Sequence, residues 1–432
     1  MTEKYDVAIL GAGITGLTAA YYLTKKKYKV LILEKDERAG GAIRSIKIKD
    51  YEIDEFYHHF FEDDAHILNL IKELDLEKNV LWSEGSMVFL FGDRFFRLLG
   101  LSDLLLFEPF SFVDKIKFVL LMIRIKLTKN FKNADEYYAH EWIKKYGGIN
   151  VYNKLFFPLL KSKFGDNAEK ASAAWFIERI RLRSNAGKKG EILGYLLGSF
   201  QLLIDTALQE IIKNNGEMVY RADIEKLNIS GNKINYLKYN GKKVEVKHVV
   251  SSIPPFVLTK LINRKDTYFN KLGKLEYQGS ICVLIGFDVS LTEHYWANII
   301  KEDCIFGAVV EHTNLIPRKY YSNDTIVYLG SYPNKGSDLW KMEESEVFDL
   351  YFKSLNKIFS KLRKSDVLWW KVNKSNAVGL LYKKGISSLI LPCQTSIDNL
   401  YIGGMFNSYP ERSINESIRF GKEIFEIIER KK

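Results

Sequence analysis

The chain has 432 residues, 47% of them hydrophobic, with 64 Lys and Arg against 53 Asp and Glu and a formal net charge of +11. That length allows two or three domains with substantial cores, and the composition is that of a globular protein and not of a disordered or fibrous one. Cys282, Cys304 and Cys393 form no C-x-x-C, and the seven histidines form no H-E-x-x-H, which argues against a disulfide framework and a metal site.

The basic charge favours anionic partners. The lysines are spread over many segments, and no basic stripe is interleaved with aromatics, so nucleic acid is excluded as a partner. The sequence opens directly into a strand, which predicts no signal peptide and, with the cysteine usage, a cytoplasmic protein.

Residues 5–34, YDVAILGAGITGLTAAYYLTKKKYKVLILE, predict strand, tight turn, helix and strand. Residues 6–10 are a short apolar run suited to a buried parallel strand. Gly11, Gly13 and Gly16 have the spacing G-x-G-x-x-G. The first permits the turn, the second lets a pyrophosphate approach the backbone, and the third lets the helix lie close to the sheet. The helix, opening with Ile14 and Thr15, points free N–H groups and a positive dipole end at phosphates. The second strand ends at Glu34, about 18 residues after Gly16, where an acid accepts ribose hydroxyls. Strand, helix, second strand and acid together distinguish this from a glycine turn in a plain βαβ unit.

After Glu34 and Lys35 comes a loop with Gly40, Gly41, Ile43, Arg44 and Ser45. It resembles the second fingerprint of the FAD-binding amine oxidase and protoporphyrinogen oxidase superfamily, a strand-end Glu followed by G-G-x-x-R-[ST]. Adjacent glycines let the loop pass close to a ribityl-diphosphate, and the arginine can neutralise it. The resemblance implies FAD as the cofactor.

In that superfamily the stretch corresponding to residues 50–61, DYEIDEFYHHFF, runs beside the flavin ring. Asp54 and Glu55 stand where an acid and a glycine usually lie. The expected glycine and the Gly-Pro-Arg of protoporphyrinogen oxidases are missing. Tyr57, His58 and His59 are the candidate catalytic residues, able to tune the flavin or act as acid or base; the plain alternative is a hydrogen-bonded core histidine. His58 and Phe60 are also similar, more loosely, to the H-x-F of UDP-galactopyranose mutases.

Residues 63–74 predict an amphipathic helix capped by Asp63 or Asp64, with Ile67, Leu68, Ile71 and Leu74 in the core. Residues 94–127 are rich in Leu and Phe and interrupted by Lys and Arg, with no apolar run long enough to span a bilayer. Phe95, Phe96, Leu98, Leu99 and residues 104–107 either lie on a membrane, line an apolar substrate tunnel, or pack as an ordinary helical subdomain. Residues 133–165 predict helix with a break at Gly147-Gly148. Pro158, Leu159 and Gly165 resemble a helix segment of protoporphyrinogen oxidase-like proteins. Arg179, Arg181 and Arg183 alternate; on a strand they would share one face and suit a phosphate or carboxylate of the substrate.

Further on, Gly198-Ser199 opens a helix similar to the superfamily's G-G-x-x-x-L. Ile224 stands where these proteins bracket adenine with a backbone. Residues 228–246 predict a hairpin arm with turns at Gly231-Asn232 and Asn240-Gly241. Near the end, residues 400–402 predict a strand that turns at Gly403-Gly404, followed by Met405 and a helix starting near Ser413 or Asn415. This resembles the superfamily's final strand, whose helix N-terminus faces the flavin's pyrimidine oxygens; Asn415 would be its neighbour, and Gly421 would let the helix pack closely.

The implied fold is α/β: a Rossmann-like, doubly wound, three-layer FAD domain (1–90, 191–260 and 393–432), a helical subdomain (91–190) and a mixed-sheet substrate domain (261–392). The implied function is an FAD-dependent oxidoreductase taking hydride from a small-molecule carbon to flavin N5. A redox-neutral nucleotide-sugar mutase and a non-catalytic flavoprotein are the other readings. The 95–127 segment adds an expected salt-sensitive contact with the inner membrane face and an apolar, lipid-linked or phosphorylated substrate.

Overall fold

A computed structural model describes residues 3–183, 191–301, 303–410 and 412–431. The strand Glu3–Leu10 lies inside a seven-stranded sheet, flanked in parallel by Val30–Leu33 and by Lys242–Ser251. Glu217–Val219 extends the sheet beyond Val30–Leu33, and Leu400–Ile402 pairs in parallel with Lys242–Ser251. Beginning, middle and end of the chain therefore meet in one sheet, as a discontinuous nucleotide domain requires.

Period-two alternation distributes the strands' side chains between two cores. Val7, Ile9, Val30 and Ile32 pack with side chains of the helices Ile14–Lys25, Ser199–Lys213 and Ile414–Arg430. Ala8, Leu10, Leu31 and Leu33 belong to the core that also takes in Leu227, Leu237 and Val244 of the antiparallel arm. Both faces are covered, which explains why Val30–Leu33 is apolar at every position. A Cβ on Gly421 would stand 2.6 Å from the Thr15 carbonyl oxygen, so the last helix crosses the first at backbone distance.

The second sheet is mixed. Its strands are antiparallel except Trp296–Ile300, which runs parallel to Met87–Phe91. Met87–Phe91 thus leaves the first domain, whose expected boundary at residue 90 falls inside a strand of the second. The helix Glu344–Asn356 covers one face of this sheet through Val347, Tyr351 and Leu355.

Between the sheets stand the helices Leu101–Leu106, Phe112–Leu127, Ala139–Val151, Phe157–Phe164 and Ala173–Arg183. The expected break is at Gly148, with φ +82°. Residues 173–183 form a helix, so the alternating arginines do not share one face as they would on a strand, and Ala173, Ala174, Trp175, Phe176 and Ile177 are all buried. No helix among the described residues is long and apolar enough to cross a membrane.

Asp54, at the end of Tyr51–Asp54, ties the parts together. Its carboxylate accepts from Tyr195 OH (2.7 Å), Ser45 Oγ (2.8 Å) and Phe200 N (3.1 Å), and its carbonyl accepts from Tyr328 OH. Burial outweighs these three donors and raises its pKa from 3.8 to about 7. The unfolded chain releases this proton first, so stability falls as pH rises from about 4 to about 7, by roughly 1.4 kcal/mol per pH unit, and the effect is flat above that. Asp54→Asn, which keeps acceptors for Ser45 and Phe200, should flatten that slope in melting curves. An unchanged slope assigns it to other groups.

Candidate active site

The glycine turn is built as its spacing demands. Gly11 has φ +95° and its N–H donates to Leu33 O at 2.8 Å. A Cβ on Gly16 would lie 2.3 Å from Gly11 O, so only glycine lets this helix start against the strand. Among the described residues no side chain caps the helix at its N-cap Gly13, no acid follows in the first turn, and a Cβ on Gly13 would meet nothing within 4 Å. The helix end thus opens onto free space, which suits an anion. Ile14 and Thr15 are buried, and Thr15 Oγ1 donates to Ser417 O at 2.9 Å, tying the first helix to the last.

The other expected nucleotide residues gather around that space. Gly40 bridges to Gly13, its N–H donates to Ala12 O at 3.0 Å, and a Cβ on Gly41 would come within 3.2 Å of Gly13 Cα. The two glycine loops lie against each other. Glu34 is buried; its carboxylate accepts from Ala12 N at 2.7 Å and Asp36 N at 3.0 Å. Lys35 points outward. Ala222 N donates to Glu34 O, which brings the chain entering Ile224 beside the acid. Gly403 N donates to Ser251 O, placing Gly404 and the half-buried Met405 at the same end of the sheet.

Two expected nucleotide ligands are otherwise engaged. Arg44 Nε donates to Glu55 at 2.8 Å and its Nη1 to Asp36 at 3.0 Å. Asn415 Oδ1 accepts from His66 N and Ile67 N at 2.8 and 3.1 Å, capping the helix Ala65–Glu73 that Asp63 or Asp64 was expected to cap. Asp64 accepts from Phe61 N instead.

The histidine pair divides. His59 Nδ1 pairs with Tyr295 OH at 3.0 Å, an ordinary core arrangement. His58 sits edge-on to Phe200, and its buried Nδ1 has no hydrogen-bond partner among the described residues. Burial, reinforced by the Arg412 charge, lowers its pKa to about 4, so it is neutral at neutral pH. An orphaned buried nitrogen is the kind of atom a bound group satisfies.

Tyr57 opens the second half of the site. Its ring stands edge-on to Trp296, and bare Gly330 makes room for it, since a Cβ there would lie 3.1 Å from Tyr57 Cε1. Beyond it is a cavity of about 450 Å³ between the helical subdomain and the second sheet. Leu98, Leu104, Phe118, Met122, Leu155 and Phe176 line one side, and Met87, Phe89 and Trp296 the other. Its few polar side chains include Tyr57, Lys163, Arg179 and Tyr332.

Of the two arginines whose side chains are described, Arg179 lines the cavity and Arg181 does not. Arg181 pairs with Glu178 at 2.7 Å and lies over the Phe131 ring. The Arg183 side chain is outside the described residues. The sequence reading missed Lys163 and Tyr332, because nothing local marks Lys163 among its basic neighbours.

Two glycine loops facing a helix N-terminus, with a buried acid behind them, mark a dinucleotide-binding fold, and an apolar cavity lies alongside. The family described as flavin containing amine oxidoreductase matches residues 14–423, and the chain belongs to it. It is an oxidoreductase, and its cofactor is FAD.

The chain is 27% identical over 384 residues to the 15-cis-phytoene desaturase, chloroplastic/chromoplastic, of Arabidopsis thaliana, covering 83% of this chain and 67% of that one. It is 26% identical over 270 residues to a probable flavin-containing monoamine oxidase A of Dictyostelium discoideum, covering 59% and 58%. It spans about two-thirds or less of the length of these curated relatives. In fold it resembles a protein assigned as protoporphyrinogen oxidase from Exiguobacterium sp. 255-15, with TM-score 0.80 at 16% identity over all of both chains. It also resembles reduced UDP-galactopyranose mutase, with TM-score 0.77 at 15% identity over 99% and 94%.

Proposed function

We propose that this chain oxidises an elongated, mainly apolar substrate drawn from a membrane, with hydride passing from a substrate carbon to the flavin. The observation that carries this reading is the cavity: its lining is apolar for most of its length, and Tyr57, on the segment leading out of the nucleotide domain, stands at its wall. FAD supplies the two-electron acceptor when bound. Gly13, Gly40, Gly41 and Glu34 hold the dinucleotide, while the cavity aligns the substrate and excludes water. Neutral His58 offers a hydrogen bond and no charge.

The membrane half of the proposal rests on the outer face of the same helices. Leu105, Leu106 and Phe112 are 69%, 76% and 73% exposed, and Ile116, Leu120, Ile123 and Leu127 continue the stripe along Phe112–Leu127. Leu121 and Ile125 on the opposite face are buried. The expected contact residues change accordingly: Leu104 and Phe107 are core, Phe96 packs on Phe91 and Phe107, and Phe95 stacks on Phe359. Leu101 and Ile123 are both exposed and line the cavity, so the cavity reaches the surface at the apolar stripe. Lys115, Arg124 and Lys126 on that helix supply positive charge toward an anionic leaflet.

Anaerobic mixing of the FAD-loaded protein with long-chain apolar C–H donors tests the reading, with bleaching of the flavin's visible band as the signal. Met122→Trp, which fills the cavity, should slow bleaching at limiting substrate by roughly tenfold or more. If no apolar donor bleaches the flavin, or if Met122→Trp leaves the rate unchanged, the cavity is not the substrate site. The redox-neutral mutase reading is less favoured, since Arg181 pairs with Glu178 and does not line the cavity with Arg179. Turnover only after pre-reduction, with no oxidant consumed, would restore it.

A further inference from the structure

The cavity's polar side chains include a lysine for which the apolar wall gives no reason. Lys163 and Lys161 belong to the same helix, Phe157–Phe164, but face opposite ways. Lys161 reaches Asp166 at 2.7 Å on the surface. Lys163 turns into the cavity, its Nζ 3.8 Å from the centroid of the Tyr332 ring, and among the described residues no carboxylate pairs with it. Its backbone is fixed, since Gln278 Nε2 donates to Lys163 O and so pins the helix end to the second sheet. Arg179 lines the same space, Arg412 is close enough to act on Lys163, and Tyr332 OH lies 3.5 Å from Tyr57 OH.

We propose that Lys163, Arg179, Tyr332 and Tyr57 form an anion subsite in this cavity, so that the substrate is amphipathic, with an apolar body and a carboxylate or phosphate at one end. The inference rests on the cavity being the substrate site.

A lysine held away from bulk water is costly unless an anion joins it. The titration behaviour agrees. Burial, with Arg412 and Arg179 adding repulsion, lowers Lys163 to about 8. Burial alone would raise the Tyr332 phenol, but Lys163 and Arg412 bring it to about 8. Among the described groups, the anion most readily offered to Lys163 is thus a phenolate from Tyr332. An incoming carboxylate or phosphate replaces it with charge-assisted hydrogen bonds, while the chain of the ligand fills the space between Phe118, Met122 and Leu155.

Titration calorimetry on the FAD-loaded protein with dodecanoate, dodecyl phosphate and dodecanol tests this. The two anions are expected to bind about tenfold or more tightly than the alcohol, and the tighter of the two identifies the head group. Lys163→Gln should abolish the preference while leaving dodecanol affinity unchanged, and Lys163→Arg should retain it. The preference should also fade as pH rises through about 8, where Lys163 loses its proton; Tyr332, Tyr57, Arg179 and Arg412 are the other ionisable groups around it. Equal binding of anions and alcohol, or a preference that survives Lys163→Gln, overturns the subsite and leaves the apolar cavity standing. Failure of all three to bind overturns the cavity reading along with it.

Discussion

Gly13→Ala should yield a protein that melts like its parent in the absence of ligand and yet binds FAD poorly. The added Cβ meets no atom of the described residues within 4 Å, and Gly13 already has an extended φ of −74°, so alanine brings neither clash nor strain. The methyl would instead stand in the open space at the helix N-terminus that suits a pyrophosphate. A misplaced methyl in a tight contact costs about 1–3 kcal/mol, which is roughly tenfold to hundredfold in affinity. Gly16→Ala supplies the contrast. Its Cβ would come 2.3 Å from the Gly11 carbonyl oxygen, a backbone atom that must move, so both the apoprotein's melting temperature and FAD affinity should fall. Calorimetric melting of the apoproteins and FAD titration separate the two effects. If Gly13→Ala takes up FAD like the parent, the pyrophosphate does not lie against this turn.

The same turn shows why one part of the fold was readable from sequence and another was not. Residues 5–34 carry strand, glycine turn, helix, strand and acid in one continuous stretch, and each feature has a local physical cause. The hairpin arm was equally local, its turns marked by Gly231 and Gly241, both at positive φ.

The second sheet was read only as a class. Its parallel pairing of Met87–Phe91 with Trp296–Ile300 joins segments far apart in sequence, and no residue in either announces the other. Hence the expected domain boundary cut through a strand.

The arginines show a different dependence. Their alternation would put them on one face only in a strand, and in the helix Ala173–Arg183, where burial from Ala173 to Ile177 is continuous, it does not. Lys163 has no sequence signature, because its meaning depends on Tyr332 lying opposite across the cavity.

The loop and cap residues show that motif position does not determine motif role. Arg44 occupies the fingerprint position, yet Glu55 and Asp36 hold its guanidinium. Glu55 stands where the resembled superfamily usually has a glycine, so the departure visible in the sequence supplies one of the two carboxylates that hold Arg44. Asn415 likewise serves the helix Ala65–Glu73, whose first-turn N–H groups lack a side-chain cap of their own. Its contribution to FAD binding would then be indirect, through the placement of that helix against the last one.

Replacing Leu105, Leu106 and Phe112 together with serine should release the protein from anionic vesicles without unfolding it. All three are more than two-thirds exposed, so folding gains little from them, whereas most exposed hydrophobics elsewhere are scattered and need no explanation. Full burial of a Leu or Phe side chain is worth about 1.5–3 kcal/mol. Even half of that for each of three residues amounts to about 2–4 kcal/mol, a loss of more than tenfold in partitioning. The helix that Phe112 opens has its own start signal, a capping box between Ser111 and Asp114. Lys115, Arg124 and Lys126 each add about 1 kcal/mol near an anionic leaflet, so binding should weaken with salt and the serine variant should retain only that salt-sensitive remainder. Flotation with anionic and neutral vesicles at low and high salt resolves the apolar and electrostatic parts. A parent protein that stays unbound at low salt, or a serine variant that floats as well as the parent, would show that the stripe on these helices does not face a bilayer.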